Sequence, residues 1–310
     1  MWQLVSGIFM GWSLGSNDAA NIFGLAVSTR VLRFWTAAIL ASVFVVAGAL
    51  LSGQGGFETY GKLASQTLLS AFFISLAAAI TVTSMTAFGL PVSTSQAVVG
   101  SIIGIGVMQG NVHWATLLKV VVAWIFTPIG GAVFSYLLYI SVGKLVERWL
   151  KDYFFYDEFL KVGFLLISAY SAYSLGANNV ANITGVYVKS GALTPRMGAL
   201  VGSLAIASGI ITYSRRVIRT VGNNLVNLEP FTGFIALLGE ALTLNVFAVI
   251  GVPVSASQAI VGAVLGIGLV KGVKTIDMRN VVNIVLAWVL TPAISGGLAY
   301  GLWVLHGTLM

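Results

Sequence analysis

Two copies of one polar motif decide how this chain folds. The stretch Gly15–Gly24 reads GSNDAANIFG, and the stretch Gly176–Gly185 reads GANNVANITG. Each copy places asparagines, and the first copy also an aspartate, inside an otherwise apolar run. Polar groups at bilayer depth are costly unless they face a cavity, another helix or a ligand. A chain that carries this motif twice is therefore predicted to build a site from both copies.

The composition around the motifs is that of a membrane protein. Of 310 residues, 58% are hydrophobic and 8% are charged, against about 25% charged in soluble domains. The net charge of +7 is scattered, which indicates membrane topology rather than nucleic-acid binding. Cysteine is absent, and no nucleotide loop, metalloprotease motif or catalytic triad is recognisable. We therefore expect an all-α polytopic membrane protein that is not an enzyme and needs no cofactor.

Ten apolar segments are long enough to be spanning or half-spanning helices. They are Gln3–Val27, Phe34–Leu51, Thr67–Leu90, Val92–Met108, Trp114–Val142, Phe159–Tyr187, Met197–Tyr213, Pro230–Val252, Val254–Val270 and Val281–Leu305. A charged and aromatic stretch separates two sets of five. The predicted domains are a first repeat at 1–143, an interfacial helix or solvated linker at 144–158, and a second repeat at 159–310.

Further blocks show that the two sets are copies of each other. Gly89–Gln96 (GLPVSTSQ) matches Gly251–Gln258 (GVPVSASQ), and Trp124–Pro128 matches Trp288–Pro292. The offsets of these blocks and of the asparagine motif are 161 to 164 residues, in one order. Because each half has an odd number of segments, the halves must insert in opposite directions. The sequence predicts an inverted-topology repeat, an architecture of many secondary transporters.

Basic residues indicate the orientation of the chain. If the N-terminus is outside, the inside connections contain twelve Lys and Arg residues and the outside connections contain four. The positive-inside rule therefore places the N- and C-termini outside, with the protein in the cell membrane.

The Pro-Val-Ser segments predict a helix break and restart in each half. Proline disfavours a helical residue before it and suits the first turn of a new helix. Ser93, Thr94 and Ser95 can cap the new N-terminus, whose free N–H groups and positive dipole form an anion site. Ser255 and Ser257 repeat this arrangement. Two such half-helix tips, broken or re-entrant, suit a compact oxyanion; the alternative is two ordinary kinks with hydroxyls bonded to their own helix.

The asparagine motif predicts cation chemistry beside that anion. Asn17 and Asn21 are four residues apart, so they share a helix face with Asp18. A carboxylate beside an oxyanion is repulsive unless a cation or proton lies between them. No Lys or Arg lies near in sequence, so we expect either Na⁺, bound by Asp18 and asparagine carbonyls, or a proton on Asp18. The alternative is that Asp18 is a helix cap or an interhelical polar group.

Three other polar residues stand out. Glu240 is a second acid inside an apolar segment, and its counterpart in the first half is Ala78. It is a further candidate for the coupling ion or else a structural, hydrogen-bonded carboxyl. Gln96 and Gln258 lie about one turn beyond the first serine of each tip, and we expect them to brace the half-helices.

These motifs resemble those of the inorganic phosphate transporter (PiT) family. The resemblance lies in Gly15–Asn21 and Gly176–Asn182, in Gly89–Gln96 and Gly251–Gln258, and in the run Ser214–Gly222. It covers essentially the whole chain. It implies symport of inorganic phosphate with Na⁺ or H⁺, an inverted-repeat transport domain, elevator-like movement and a homodimer.

The resemblance also assigns roles to residues. It implies cation ligands at Asp18 and Asn21, with Asn179 and Asn182 as their counterparts in the second half. It implies contact with phosphate by Asn17, Ser93, Thr94, Ser95, Asn178, Ser255 and Ser257.

Three departures from the family pattern bear on this assignment. Asn179 stands where many members have a second Asp, Val45 where many have Glu, and Ala256 where a hydroxyl is expected. These changes predict fewer coupled cations or a shifted substrate preference. A sulfate permease is the alternative within the family. An anion channel is the alternative outside it, although an ionisable Asp in the motif argues against a passive pore.

Overall fold

The computed structural model describes residues 2–88, 92–149, 153–221, 229–271 and 278–309, and all regular structure in these ranges is helical. Twelve helices are present there. They are α1 (Leu4–Ser28), α2 (Phe34–Ser52), α3 (Gly55–Leu63), α4 (Leu68–Ala87), α5 (Thr94–Gln109), α6 (Trp114–Trp149), α7 (Tyr153–Lys189), α8 (Pro195–Thr212), α9 (Ser214–Val221), α10 (Pro230–Ile250), α11 (Ala256–Lys271) and α12 (Met278–Leu309).

Ten of these helices correspond to the ten predicted segments, which confirms the all-α membrane class. By length and composition, seven of the described helices could cross a membrane. The helices α5 and α11 are apolar but shorter. The short helices α3 and α9 were not predicted, because neither contains the long apolar run by which the other segments were recognised. They occupy equivalent positions in the two halves, α3 ahead of α4 and α9 ahead of α10, the helices of the third segment in each half.

The predicted linker is divided between two long helices. The helix α6 continues to Trp149 and α7 begins at Tyr153, so the charged stretch lies on their facing ends; residues 150–152 lie outside the described ranges. Lys161 forms an ion pair with Asp157 one turn away, at 2.6 Å, on this part of α7. The boundaries proposed for the two repeats therefore fall within continuous helices.

The packing of the helices follows a two-fold pattern that crosses between the halves. The helix α1 packs on α8, and its counterpart α7 packs on α2. In the same way α5 packs on α12, and its counterpart α11 packs on α6. Each half therefore packs two helices against the other half: the helix that carries the asparagine motif (α1 or α7) and the half-helix (α5 or α11).

The contacts along these pairs show that the repeat is inverted. Gly100 and Gly104 of α5 lie against Pro292 and Gly296 of α12 in the same order, and Gly262 and Gly266 of α11 lie against Pro128 and Ala132 of α6. Both pairs are therefore parallel. The chain reverses between α5 and α6 in the short turn after Gln109, where Gly110 takes a left-handed φ of 64°. Because α6 runs opposite to α5 and parallel to α11, the equivalent helices α5 and α11 run in opposite directions.

Backbone contact at glycine holds the half-helices in place. A Cβ added at Gly262 would lie 2.0 Å from the Pro128 carbonyl oxygen, and one at Gly100 would lie 2.2 Å from that of Pro292. Small residues that allow backbones to approach are a main source of helix association in membranes. Pro128 inside α6 and Pro292 inside α12 thus each lie against the half-helix from the opposite repeat.

We predict that Gly262→Ala destabilises the protein by about 1–3 kcal/mol, because the added methyl group meets backbone that cannot rotate away. Thermal unfolding of the purified protein in detergent measures the effect. Gly297→Ala is the matched control, since nothing lies within 4 Å of a Cβ built there. Equal melting temperatures for the two variants would contradict the proposed backbone contact.

Candidate functional site

Both predicted helix breaks are present. The helix α4 ends at Ala87 and α5 restarts at Thr94, with the Ser93 hydroxyl accepting a hydrogen bond from the Gln96 N–H at 3.3 Å. Residues Gly89–Pro91 of this motif lie outside the described ranges. In the second half α10 ends at Ile250, and Gly251 has a left-handed φ of 75°. The Ser255 hydroxyl then accepts from the Gln258 N–H at 3.3 Å, so both new N-termini are capped by serine.

The half-helices α5 and α11 begin inside the protein. Each has 16 residues and is about 24 Å long, which is short of the ~30 Å hydrocarbon core. Their N-terminal side chains are buried, from the fully enclosed Ser93 and Ser95 to Ser257 at 8% exposure. The free N–H groups of both helix starts are therefore directed into the interior.

One serine joins the two tips to the first asparagine motif. Ser257 at the start of α11 donates to the Val92 carbonyl just before α5, at 3.0 Å. The same hydroxyl accepts from Asn21 Nδ2 at 3.1 Å. The structure thus brings the tip from each half to one face of α1.

Asp18 lies beside the first tip. Its Oδ1 accepts from Asn17 Nδ2 at 2.7 Å, and its Oδ2 accepts from the Thr94 hydroxyl at 3.2 Å. The side chain is 1% exposed. No ion pair to Asp18 is present in the described part of the chain, so its charge is met there only by neutral donors. A carboxylate can accept about four hydrogen bonds, which leaves lone pairs for a cation.

The second asparagine motif is arranged differently. Asn178 Oδ1 accepts from the Val254 N–H at 3.0 Å, and its Nδ2 donates to the Leu244 carbonyl at 3.4 Å. This side chain therefore holds the segment that leads into α11. Asn182 Nδ2 donates to Asn179 Oδ1 at 3.0 Å. Asn179 Nδ2 is buried and has no hydrogen-bond partner among the described residues.

Two contributors to the site were not predicted from the sequence. Tyr60 of α3 is fully buried and donates its hydroxyl proton to Asn182 Oδ1. Thr86 near the end of α4 donates to Asn17 Oδ1 at 3.0 Å. Thr86 precedes the first helix break by only a few residues, and this position was a usable signal. Nothing in the sequence around Tyr60 pointed to the second motif.

The remaining candidates lie apart from this hydrogen-bonded cluster. Glu240 is fully buried and bonds to Ser171, with no hydrogen bond to either asparagine motif among the described residues. Gln96 and Gln258 are buried in the first turns of the half-helices, and the Oε1 atom of each accepts no hydrogen bond from the described chain. Their bracing role stays a prediction.

The site contains both hydrogen-bond donors that suit an anion and oxygen atoms that suit a cation. Serine hydroxyls, asparagine amides and two helix N-termini can donate to an oxyanion. Asp18 and the Asn21 carbonyl can bind a hard cation through oxygen. Within the described residues no three His, Cys, Asp or Glu side chains cluster, so the oxygen set has one carboxylate with neutral partners. Such a set suits a monovalent cation beside an anion.

Comparison with known proteins identifies relatives over the whole chain. The phosphate transporter family matches residues 14–157 and 148–299. A predicted phosphate permease of Methanocaldococcus jannaschii is 31% identical, over 94% of this chain and 93% of that protein. A predicted phosphate permease of Pyrococcus furiosus is 29% identical, over 96% of this chain and 93% of that protein.

A solved structure shares the fold. It is described as the sodium-dependent phosphate transporter, and it superimposes with a TM-score of 0.86 over 100% of both chains at 23% identity. The two family matches cover the two halves of this chain in turn, in agreement with the internal duplication. The chain therefore belongs to the phosphate transporter family.

Proposed function

We propose that the protein is a secondary active transporter that imports inorganic phosphate by symport with Na⁺. Family membership supports phosphate as the substrate. The solved structure that shares the fold is of a sodium-dependent phosphate transporter, and the oxygen atoms around Asp18 support the same coupling ion in this chain. H⁺ is the alternative coupling ion.

The observation that carries this proposal is the hydrogen bond from Thr94 to Asp18. It places a buried carboxyl group at the N-terminal turn of a half-helix, where an anion would bind. An ionised carboxylate and an oxyanion repel each other strongly in a medium of low dielectric constant. A cation bound by Asp18 removes this repulsion, so anion and cation bind well only together. Such mutual dependence is the thermodynamic basis of symport.

The proposed phosphate ligands are donors at the two tips. Ser93, Thr94, Ser95, Ser255 and Ser257 lie in or next to the first turns, where hydroxyl and backbone N–H groups converge. We propose that Asn17 from α1 and Asn178 from α7 each contribute the second N–H of the side-chain amide. The remaining amide atoms are engaged, at Asn17 with Asp18 and Thr86 and at Asn178 with the backbone that leads into α11.

The proposed cation ligands are unequal in the two halves. Asp18 and Asn21 form the stronger set, because Asp18 is charged and the Asn21 carbonyl accepts no hydrogen bond from the described residues. In the second half the carbonyls of Asn179 and Asn182 each already accept a hydrogen bond. We therefore propose Asp18 and Asn21 as the principal Na⁺ ligands and retain Asn179 and Asn182 as weaker candidates.

Further features of the proposal concern the protein in the membrane. We propose elevator-like alternating access, in which the tips and the motif helices move together as one site. The proposed setting is the cell membrane, with both termini outside and two copies forming a homodimer. The bias of basic residues toward one side supports the orientation.

Uptake into liposomes tests the substrate and the coupling ion. With purified protein, an inward Na⁺ gradient should drive saturable uptake of radiolabelled phosphate above its external concentration, and sulfate should be a poor substrate. A pH gradient imposed alone separates H⁺ from Na⁺ coupling. Faster uptake of sulfate than of phosphate would identify a sulfate permease. Uptake that persists after both gradients are collapsed, at an unchanged rate, would identify a channel.

Asp18→Asn tests the role assigned to the carboxylate. This substitution keeps the size of the side chain and removes the charge, so Na⁺-driven uptake should fall to the level of empty liposomes. The variant should retain its melting temperature within a few degrees. Asp157→Asn is the control, because this exposed acid pairs with Lys161 far from the site. Phosphate accumulation against a gradient by Asp18→Asn would refute the assignment.

A further inference from the structure

A second buried acid lies outside the cluster around Asp18. Glu240 on α10 is 0% exposed, and its Oε2 atom accepts a hydrogen bond from the Ser171 hydroxyl at 2.6 Å. Its Oε1 atom is buried and has no hydrogen-bond partner among the described residues. A carboxyl oxygen left unpaired in the interior is costly, so this side chain needs an explanation beyond packing.

Helix α7 presents a polar strip at this acid. Ser168, Ser171 and Ser174 are spaced three residues apart, which places them on one face, and all three are 0% exposed. The Ser168 hydroxyl is also without a partner in the described part of the chain. About one turn further along the helix lies Asn178 of the second motif. A continuous row of buried polar groups thus connects the motif with Glu240 and continues past it.

The duplication shows that the fold does not require this arrangement. By the offsets between the halves, the counterparts of Glu240 and Ser171 are Ala78 and Met10, both fully buried. The counterpart of Ser168 is Gly7. The same helix pair therefore packs without an acid in the first half. The second half thus carries polar groups that the packing of the two helices does not require.

The charged surroundings of Glu240 are sparse. Five helices pack on α10, namely α1, α3, α6, α7 and α11. On α1, which packs directly on α10, the charged residue is Asp18. The charged groups described on the other four helices lie toward helix ends, about one and a half turns or more from the level of Ser171 and Gly239, or on the short α3. They are Glu58, Lys62, Lys119, Lys144, Arg148, Asp157, Glu158, Lys161, Lys189 and Lys271. The phenols whose side chains are described on these helices are Tyr60, Tyr136, Tyr139, Tyr156, Tyr170, Tyr173 and Tyr187. None of these cations forms an ion pair with Glu240 in the described structure.

We propose that Glu240 is an exchangeable proton-binding site, linked electrostatically to the cation site at Asp18. A buried carboxylate without a cation is costly, and a proton can neutralise it through a single oxygen atom. The direct bond to Ser171 leaves no space for a metal ion between the two oxygens, and the neighbouring polar side chains on α7 are hydroxyls. The linkage rests on the proposed cation site, whereas the proton site does not.

The linkage has a definite sign. While Asp18 carries a free negative charge, it opposes a second negative charge at Glu240. Na⁺ bound at Asp18 cancels that charge, so the O–H bond of the Glu240 carboxyl can break and leave a carboxylate. The proton passes to water along the hydroxyls of the α7 strip. By reciprocity, protonation of Glu240 weakens Na⁺ binding by the same factor.

Two measurements on the purified full chain test this proposal. Infrared spectroscopy should show a protonated-carboxyl band that disappears as the pH rises without Na⁺, and that is weaker in Glu240→Gln, where only Asp18 contributes to it. Binding of radiolabelled Na⁺ across the same pH range, without phosphate, gives the protons released per Na⁺ bound. This number should be larger in the wild type than in Glu240→Gln, by up to about one proton, because the variant retains only the competition at Asp18.

Controls separate the proposal from simpler outcomes. Glu58→Gln removes an exposed acid and should leave both measurements unchanged. Ser171→Ala keeps the acid, removes its hydrogen bond and should shift the pH at which the band disappears, which provides a readout if Glu240→Gln does not fold. A band that persists at every pH, or equal proton release in wild type and variant, would overturn the proposal. Absence of Na⁺ binding in the wild type would instead refute the cation site, and the infrared titration would still decide the proton site.

Discussion

The centre of this protein depends on pairing the backbone groups that two helix breaks expose in an apolar interior. Unpaired backbone groups at such depth cost several kcal/mol each, so irregular backbone survives only where other groups satisfy it. The Val92 carbonyl accepts a hydrogen bond from the Ser257 hydroxyl, and the Val254 N–H donates one to Asn178 Oδ1. Each bond reaches from one element to a different one. The breaks therefore fix the positions of α1, α7 and both half-helices relative to one another.

The two halves share one arrangement of packed helices, but their side chains at the centre differ in chemistry. Val92 and Val254 are equivalent positions, yet one is paired through its carbonyl oxygen and the other through its N–H group. Asp18 and Asn179 are likewise equivalent, and only Asp18 brings charge. The helix pairs remain two-fold throughout, including the backbone contacts of Gly100 and Gly262. Packing tolerates little change at such contacts, whereas side chains facing the centre are free to differ.

The sequence predicted the parts of this structure that follow from periodicity and repetition. Apolar runs marked the long helices, the Pro-Val-Ser blocks marked the breaks at Thr94 and Ala256, and the odd number of segments predicted the inversion. It did not predict α3 and α9, since short helices leave no long apolar signature. Nor did it predict which partners would meet. The bonds from Tyr60 to Asn182 and from Ser171 to Glu240 join residues distant in sequence, and only the packed fold brings them together.

Charge accounting at the centre connects the proposed substrate with the fold. A half-helix N-terminus is equivalent to roughly half a positive charge, so two converging tips offset roughly one negative charge. Asp18 with a monovalent cation adds no net charge beside the two tips, and Glu240 lies outside this hydrogen-bonded cluster. The site as proposed is therefore balanced for a singly charged oxyanion. Phosphate can take that form by binding a proton, whereas sulfate remains a dianion at neutral pH. The same two tips would leave one charge of sulfate unmatched in a medium of low dielectric constant, where an unmatched charge is most costly.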